Sequence, residues 1–130
     1  MDIRAKQRLV VEALEDVKGH DILVFNTARL PSMFERLVIA SGDSNRQVKA
    51  LADRVQERVK ELGGRVYGVE GERGGEWVLV DLGDVVVHIM HPTVREFYNL
   101  EELWGDKPVK LKAPKKAKPR AKAPRRRRKR

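Results

Sequence analysis

The sequence predicts an α/β domain with a mixed five-stranded sheet and three helices, followed by a basic tail. Three observations carry this reading. Apolar residues from 48 to 62 recur on a helical period with hardly a fault, five short apolar runs have the length of strands, and both patterns stop near residue 106, where Lys, Arg, Pro and Ala take over. Helices and strands alternate as helix, two strands, helix, three strands, helix, an order that calls for helices layered on a sheet containing hairpins.

At the start of the chain, Ile3, Val10, Leu14 and Val17 fall on one side of a 3.6-residue period, and Lys18-Gly19 supplies a stop. DILVF at 21–25 and RLVIA at 36–40 read as strands, separated by a loop at 27–33 that contains Pro31. In SGDSNRQVKALADRVQERVKELGG, Val48, Leu51, Ala52, Val55, Val59 and Leu62 make one apolar stripe. Asp43 or Ser44 is placed to cap this helix, and Gly63-Gly64 to end it. Residues 65–70, 76–82 and 85–90 give three further strands, with turns at GERGG and at Gly83-Asp84. Pro92 then opens a closing helix through TVREFYNLEELW. Nothing repeats internally.

Charge divides the chain into two parts. Residues 107–130 hold fourteen Lys or Arg and no acid, whereas residues 1–106 hold fourteen basic and nineteen acidic residues, so the body is net −5 and the tail +14. The expected division is a folded domain at 1–106 and a tail at 107–130. Four prolines, small residues and like charges leave that tail no apolar surface to offset ordering entropy, and it is expected to be disordered when free. The acidic body is suited to a basic partner rather than directly to phosphate. With no cysteine, disulfides and thiolate metal sites are excluded. No apolar stretch is long enough for a signal peptide or a membrane span, and a soluble cytoplasmic protein is expected.

WVLVDLGDVVVHIMHP, residues 77–92, draws attention because carboxylates and histidines sit inside an apolar run. A tight turn at Gly83-Asp84 would set Leu82 opposite Val85, Asp81 opposite Val86, Leu79 opposite His88 and Trp77 opposite Met90. Alternation then gives one face to Val78, Val80, Leu82, Val85, Val87 and Ile89, wholly aliphatic, and the other to Trp77, Leu79, Asp81, Val86, His88 and Met90. The first face suits a core beneath helices. The second is composed like a protein interface, and three helices gathered mainly on one side would leave it partly open. An ordinary second core has the same apolar residues; Asp81 and His88, costly to bury unpartnered, tip the reading toward an interface.

Catalytic chemistry finds little support. Asp81 and Asp84 straddle a turn rather than sharing a strand face, and His88 and His91 point to opposite sides of a regular strand, so neither a metal centre nor a cofactor is expected. SGDSNRQ resembles a phosphate-binding helix start, but it lacks the Gly-rich loop and Lys-Ser/Thr ending, and helix capping needs the same residue types. No nucleophilic triad can be assigned.

Three segments, in order, identify a family. The S-G-x-S-x-R helix start within IASGDSNRQVKALADRV, the VEG…W…DLGDVVVH segment and the REFY…L…LW ending resemble the ribosomal silencing factor family, also called Iojap-like proteins, across almost all of residues 1–104. The resemblance implies a nucleotidyltransferase-like fold without the catalytic carboxylates and a non-enzymatic role: binding large-subunit ribosomal protein fourteen and sterically blocking small-subunit joining, so that translation is repressed when nutrients are scarce. It also implies contact roles for Trp77, Leu79, Asp81, Val86, His88 and Met90, with Tyr98 and Leu82 as weaker candidates. Leu82 is weaker because it falls on the core face and a bulge would be needed to expose it. Arg46 and Lys49, early in the second helix, are candidates for ribosomal RNA, as are Lys115, Lys116, Arg125, Arg126, Arg127 and Arg128 in the tail, which extends beyond the family's common ending. A homodimer that hides the mixed face stays open. So do a phosphate-handling enzyme of nucleotidyltransferase type and a general RNA-binding protein that acts through its tail.

Overall fold

The structure is a computed structural model of the 130-residue chain, described for residues 2–28 and 34–99, with only the backbone of Tyr98 included. Its elements are α1 (Ile3–Asp16), β1 (His20–Asn26), β2 (Arg36–Ser41), α2 (Asn45–Glu61), β3 (Gly68–Glu70), β4 (Trp77–Asp81), β5 (Val85–Met90) and α3 (Pro92–Tyr98). These are the expected three helices and five strands in the expected order.

Local chemistry sets the boundaries. Asp2 caps α1 by accepting the Ala5 N–H at 2.8 Å, and Lys18 enters the left-handed region beyond the helix end. Ser44 caps α2 through the Gln47 N–H at 3.1 Å, and the Gly64 N–H returns to the Val59 carbonyl at 2.8 Å. The third strand is shorter than the expected 65–70: pairing with β4 begins at Gly68, although the Tyr67 N–H still reaches the Asp81 carbonyl. The closing helix is also shorter than expected. Asn99 adopts left-handed backbone at φ 47° and ψ 54°, a conformation that asparagine tolerates better than most residues, and so ends α3 at Tyr98. The expected continuation to residue 104 and the tail at 107–130 lie outside the described residues.

The strands form one sheet in the order β1-β2-β5-β4-β3. β2 and β5 run parallel and the other neighbours antiparallel, with α2, β3 and β4 intervening between the parallel pair. Along the hairpin, Trp77 pairs with Met90, Leu79 with His88 and Asp81 with Val86, the expected register without a slip. The one register shift among the strands falls in β1, between His20 and Leu23.

The two sheet faces are unequal. α1 and α2 lie against one, where Val10, Leu14, Val48, Leu51 and Val55 pack on Val38, Val80, Val87 and Ile89. The opposite face carries a smaller cluster of Phe25, Leu37, Ile39, Val86 and Met90, margined by Phe34, Trp77, Leu79 and Val94. Among the described residues, α3 is the helix that reaches this second cluster, through Val94.

Candidate functional site

The second face is built by alternation. Its rows read Phe25, Leu37, Val86, Asp81 and Gly68 across one line, and Leu23, Ile39, His88, Leu79 and Glu70 across the next. A third, shorter row sets Ser41 beside Met90 and Trp77. α3 closes this last end. The chain turns at His91, Pro92 starts the helix, Val94 joins the cluster around Met90, and the buried Arg95 donates from Nη1 to Ser41 Oγ at 2.8 Å.

That closure corrects one expectation. Met90 shares the face of Trp77 and His88, but it is fully buried, so it supports the surface rather than belonging to it. Leu82 is fully buried too, on the helix-covered face, with no bulge in the hairpin to expose it. Val86, 9 % exposed, forms a floor. Trp77, Leu79, Asp81 and His88 are each partly exposed. The Tyr98 side chain and the tail candidates Lys115, Lys116 and Arg125 to Arg128 lie outside the described residues.

Trp77 and His88 act as a unit. The indole Nε1–H donates to His88 Nδ1 at 2.8 Å, with the rings tilted at 49°. Accepting that bond requires an unprotonated Nδ1, and burial pushes the His88 pKa down to about 4. Both effects favour neutral imidazole, which leaves Nε2–H as the ring's remaining donor. Asp81 has a structural task as well, because its Oδ1 accepts the Gly83 N–H at 2.8 Å and steadies the turn.

Toward that turn the face opens into a cleft of about 850 Å³. Leu79 and Val86 supply apolar lining, with Asp81 and His88 beside them, while Phe34, Glu35, Tyr67 and Lys6 complete it. The last four were not singled out from the sequence. Lys6 had a readable signal: a lysine on the α1 stripe between Ile3 and Val10 calls for a partner, and its Nζ meets Asp84 Oδ1 at 2.7 Å and the Leu82 carbonyl at 3.1 Å. Tyr67, 61 % exposed, stands just ahead of the strand pairing that begins at Gly68; the Arg65 guanidinium sits 4.9 Å from its ring centre.

The SGDSNRQ segment forms a joint. Gln47 accepts the Asp43 N–H and donates to the Val17 and Lys18 carbonyls, fastening the start of α2 to the end of α1. His20, raised in pKa by its hydrogen bond with Asp21 and further by Asp43, has Nε2 at 2.7 Å from Asp43. Arg46 and Lys49 are exposed on the first turns of α2, and Asn45 donates to the Gly74 carbonyl at 3.2 Å.

A family model described as "Ribosomal silencing factor during starvation" matches residues 1–130. The chain belongs to this family. The ribosomal silencing factor of Chromobacterium violaceum is 56 % identical over 105 residues, covering 81 % of this chain and 86 % of that one. A crystal structure of a Chromobacterium violaceum protein superposes with a TM-score of 0.79 at 56 % identity, covering 81 % of this chain and 88 % of its own. Among more distant members, the mouse "Mitochondrial assembly of ribosomal large subunit protein 1" is 32 % identical over 99 residues, 74 % of this chain and 43 % of that one. The superposition shows that this chain shares its α/β fold with the Chromobacterium violaceum protein. No helix among the described residues is long and apolar enough to cross a membrane.

Proposed function

We propose that the second sheet face docks a basic protein of the large ribosomal subunit, ribosomal protein fourteen, and that the bound domain sterically prevents the small subunit from joining. Translation is then repressed without any chemical step, in the cytoplasm and under nutrient limitation. The observation that carries this reading is the half of the second face that no described helix covers, where Trp77, Leu79, Asp81 and His88 are partly exposed beside an open cleft while α3 closes the other end. Family membership supports it, as does the mouse relative, which is named for mitochondrial assembly of the ribosomal large subunit. Attraction between the net −5 body and a basic partner assists encounter.

In this reading Trp77 and Leu79 give contact area, Asp81 and the His88 Nε2–H orient the partner, and Val86 floors the contact. Leu82 and Met90 hold it from beneath, and Tyr98 is a further contact. The domain at 1–106 selects the location, and Arg46, Lys49 and the tail at 107–130 add affinity for ribosomal RNA. Large subunits preincubated with the chain and then mixed with small subunits should sediment unjoined. Leu79→Arg, a change at a partly exposed position, should restore joining without moving the melting temperature by more than a few degrees. Normal joining at saturating wild-type chain overturns the proposal.

A further inference from the structure

Charge, proline and small residues dominate the tail but do not wholly exclude apolar surface: its first residues carry a regular pattern. In KPVKLKAP, Val109 and Leu111 are the only side chains in 107–130 that are both apolar and larger than alanine, apart from proline, and they alternate with Lys110 and Lys112. A proline stands at each end, at 108 and 114, and proline disfavours helix in the residue before it. Drawn out, such a segment presents two aliphatic side chains to one side and two ammonium groups to the other.

The cleft on the second face has the matching chemistry. Leu79 and Val86 provide an aliphatic lining, Phe34 and Tyr67 aromatic walls, and Glu35 and Asp81 carboxylates beside them. Glu70, exposed and paired with Leu79 in register, adds another acid to the same face. Distance is no obstacle. From Asn99 to residue 109 the chain can span up to roughly 35 Å, whereas the four residues from Met90 back to Val86 along β5 cover roughly 13 Å.

We infer that residues 108–112 occupy this cleft in the free protein, Val109 and Leu111 on Leu79 and Val86, Lys110 and Lys112 toward the carboxylates, as a tethered competitor of the docking partner. RNA held by the more basic stretch at 115–130 withdraws the segment, so that the face opens where ribosomal RNA is at hand. The competition rests on the docking function proposed above; occupancy of the cleft does not. A segment that fills the cleft half to four-fifths of the time weakens apparent partner affinity about two- to fivefold, because only the open fraction can bind.

The chain has no cysteine, so Ala113→Cys in the full-length protein gives a single attachment point for a spin label. At low salt the label should broaden the amide signals of Leu79, Gly83 and Val86. Val109→Asp with Leu111→Asp should remove most of that broadening, as should saturating poly-uridine RNA. Absence of broadening on this face overturns the inference, and so does broadening that survives the double substitution, which would be charge attraction alone. Broadening that grows with protein concentration assigns the contact to a second copy and overturns the tether; broadening that persists with RNA overturns release. Partner binding is measured separately: the double variant should bind isolated ribosomal protein fourteen about two- to fivefold tighter than wild type. If cleft occupancy is seen and this gain is not, the docking reading is at fault rather than the tail contact.

Discussion

At His88 the indole N–H of Trp77 lies 2.8 Å from Nδ1, so a proton on that nitrogen would confront another donor. Burial opposes the cation as well and holds the pKa near 4. In the unfolded chain the same ring titrates near 6.5 and binds more protons between those values. Stability from this group is therefore complete above about pH 6.5 and is lost as pH falls through 4. Holding the ring neutral down to about pH 4 is worth at most about 3 kcal/mol, and partial solvent access reduces that to about 1–3 kcal/mol. His20 has the opposite sign. Its raised pKa, owed first to Asp21, gives stability that is fully present below about 6.5 and lost as pH rises through the folded value. Urea unfolding followed from pH 4 to 9 should show both slopes; His88→Gln should flatten the acid side and His20→Gln the alkaline side. An acid slope unchanged in His88→Gln would remove the neutral Trp77–His88 pair from the account.

At the level of elements, the β4–β5 hairpin depends on two glycines. Gly83 has φ +92° at the first central position of a two-residue loop, as a type II′ turn requires, and an added Cβ would lie 2.9 Å from the Tyr67 ring. Gly71, at φ +88°, leads toward β4, and a Cβ there would fall inside contact distance of the Trp77 carbonyl. The obstacles differ in kind. The exposed Tyr67 ring can swing away, leaving Gly83→Ala mainly the backbone strain of about 1–2 kcal/mol. The Trp77 carbonyl belongs to the backbone at the start of β4, so Gly71→Ala must displace the strand and should lower the unfolding midpoint further. Equal losses for the two variants would contradict this ranking.

The hairpin was legible in the sequence because Gly-Asp between alternating apolar residues fixes turn, register and both faces at once, and all three are realised. Exposure was not legible. Met90 follows the same alternation as Trp77, and its burial comes from α3 folding back after Pro92, a packing event that strand periodicity does not encode. Phe34 lies just ahead of β2, where no period assigns a face, and Tyr67 falls in the expected strand 65–70 but ahead of the pairing that begins at Gly68; tertiary packing brings both to the cleft.

On the scale of the whole molecule, the proposed function joins two binding modes with different physics in one chain. The sheet face offers shape and a few oriented polar groups, and its affinity should depend weakly on salt. The tail offers fourteen positive charges, whose binding to RNA gains from counterion release and falls steeply as salt rises. If the domain selects the position and the tail adds hold, neutralising part of the tail must change the salt dependence without abolishing association. Replacing Arg125, Arg126, Arg127 and Arg128 by Gln removes four charges, which should make the slope of log affinity for large subunits against log salt shallower by roughly 3 if each meets a phosphate. Leu79→Arg should shift the same plot downward and leave its slope nearly unchanged. Complete loss of binding in the four-Gln variant would make the tail the whole protein–ribosome contact, and an unaltered slope would mean that these arginines do not meet RNA phosphates. Either result would separate the two modes along a different line from the one that the charge pattern draws near residue 106.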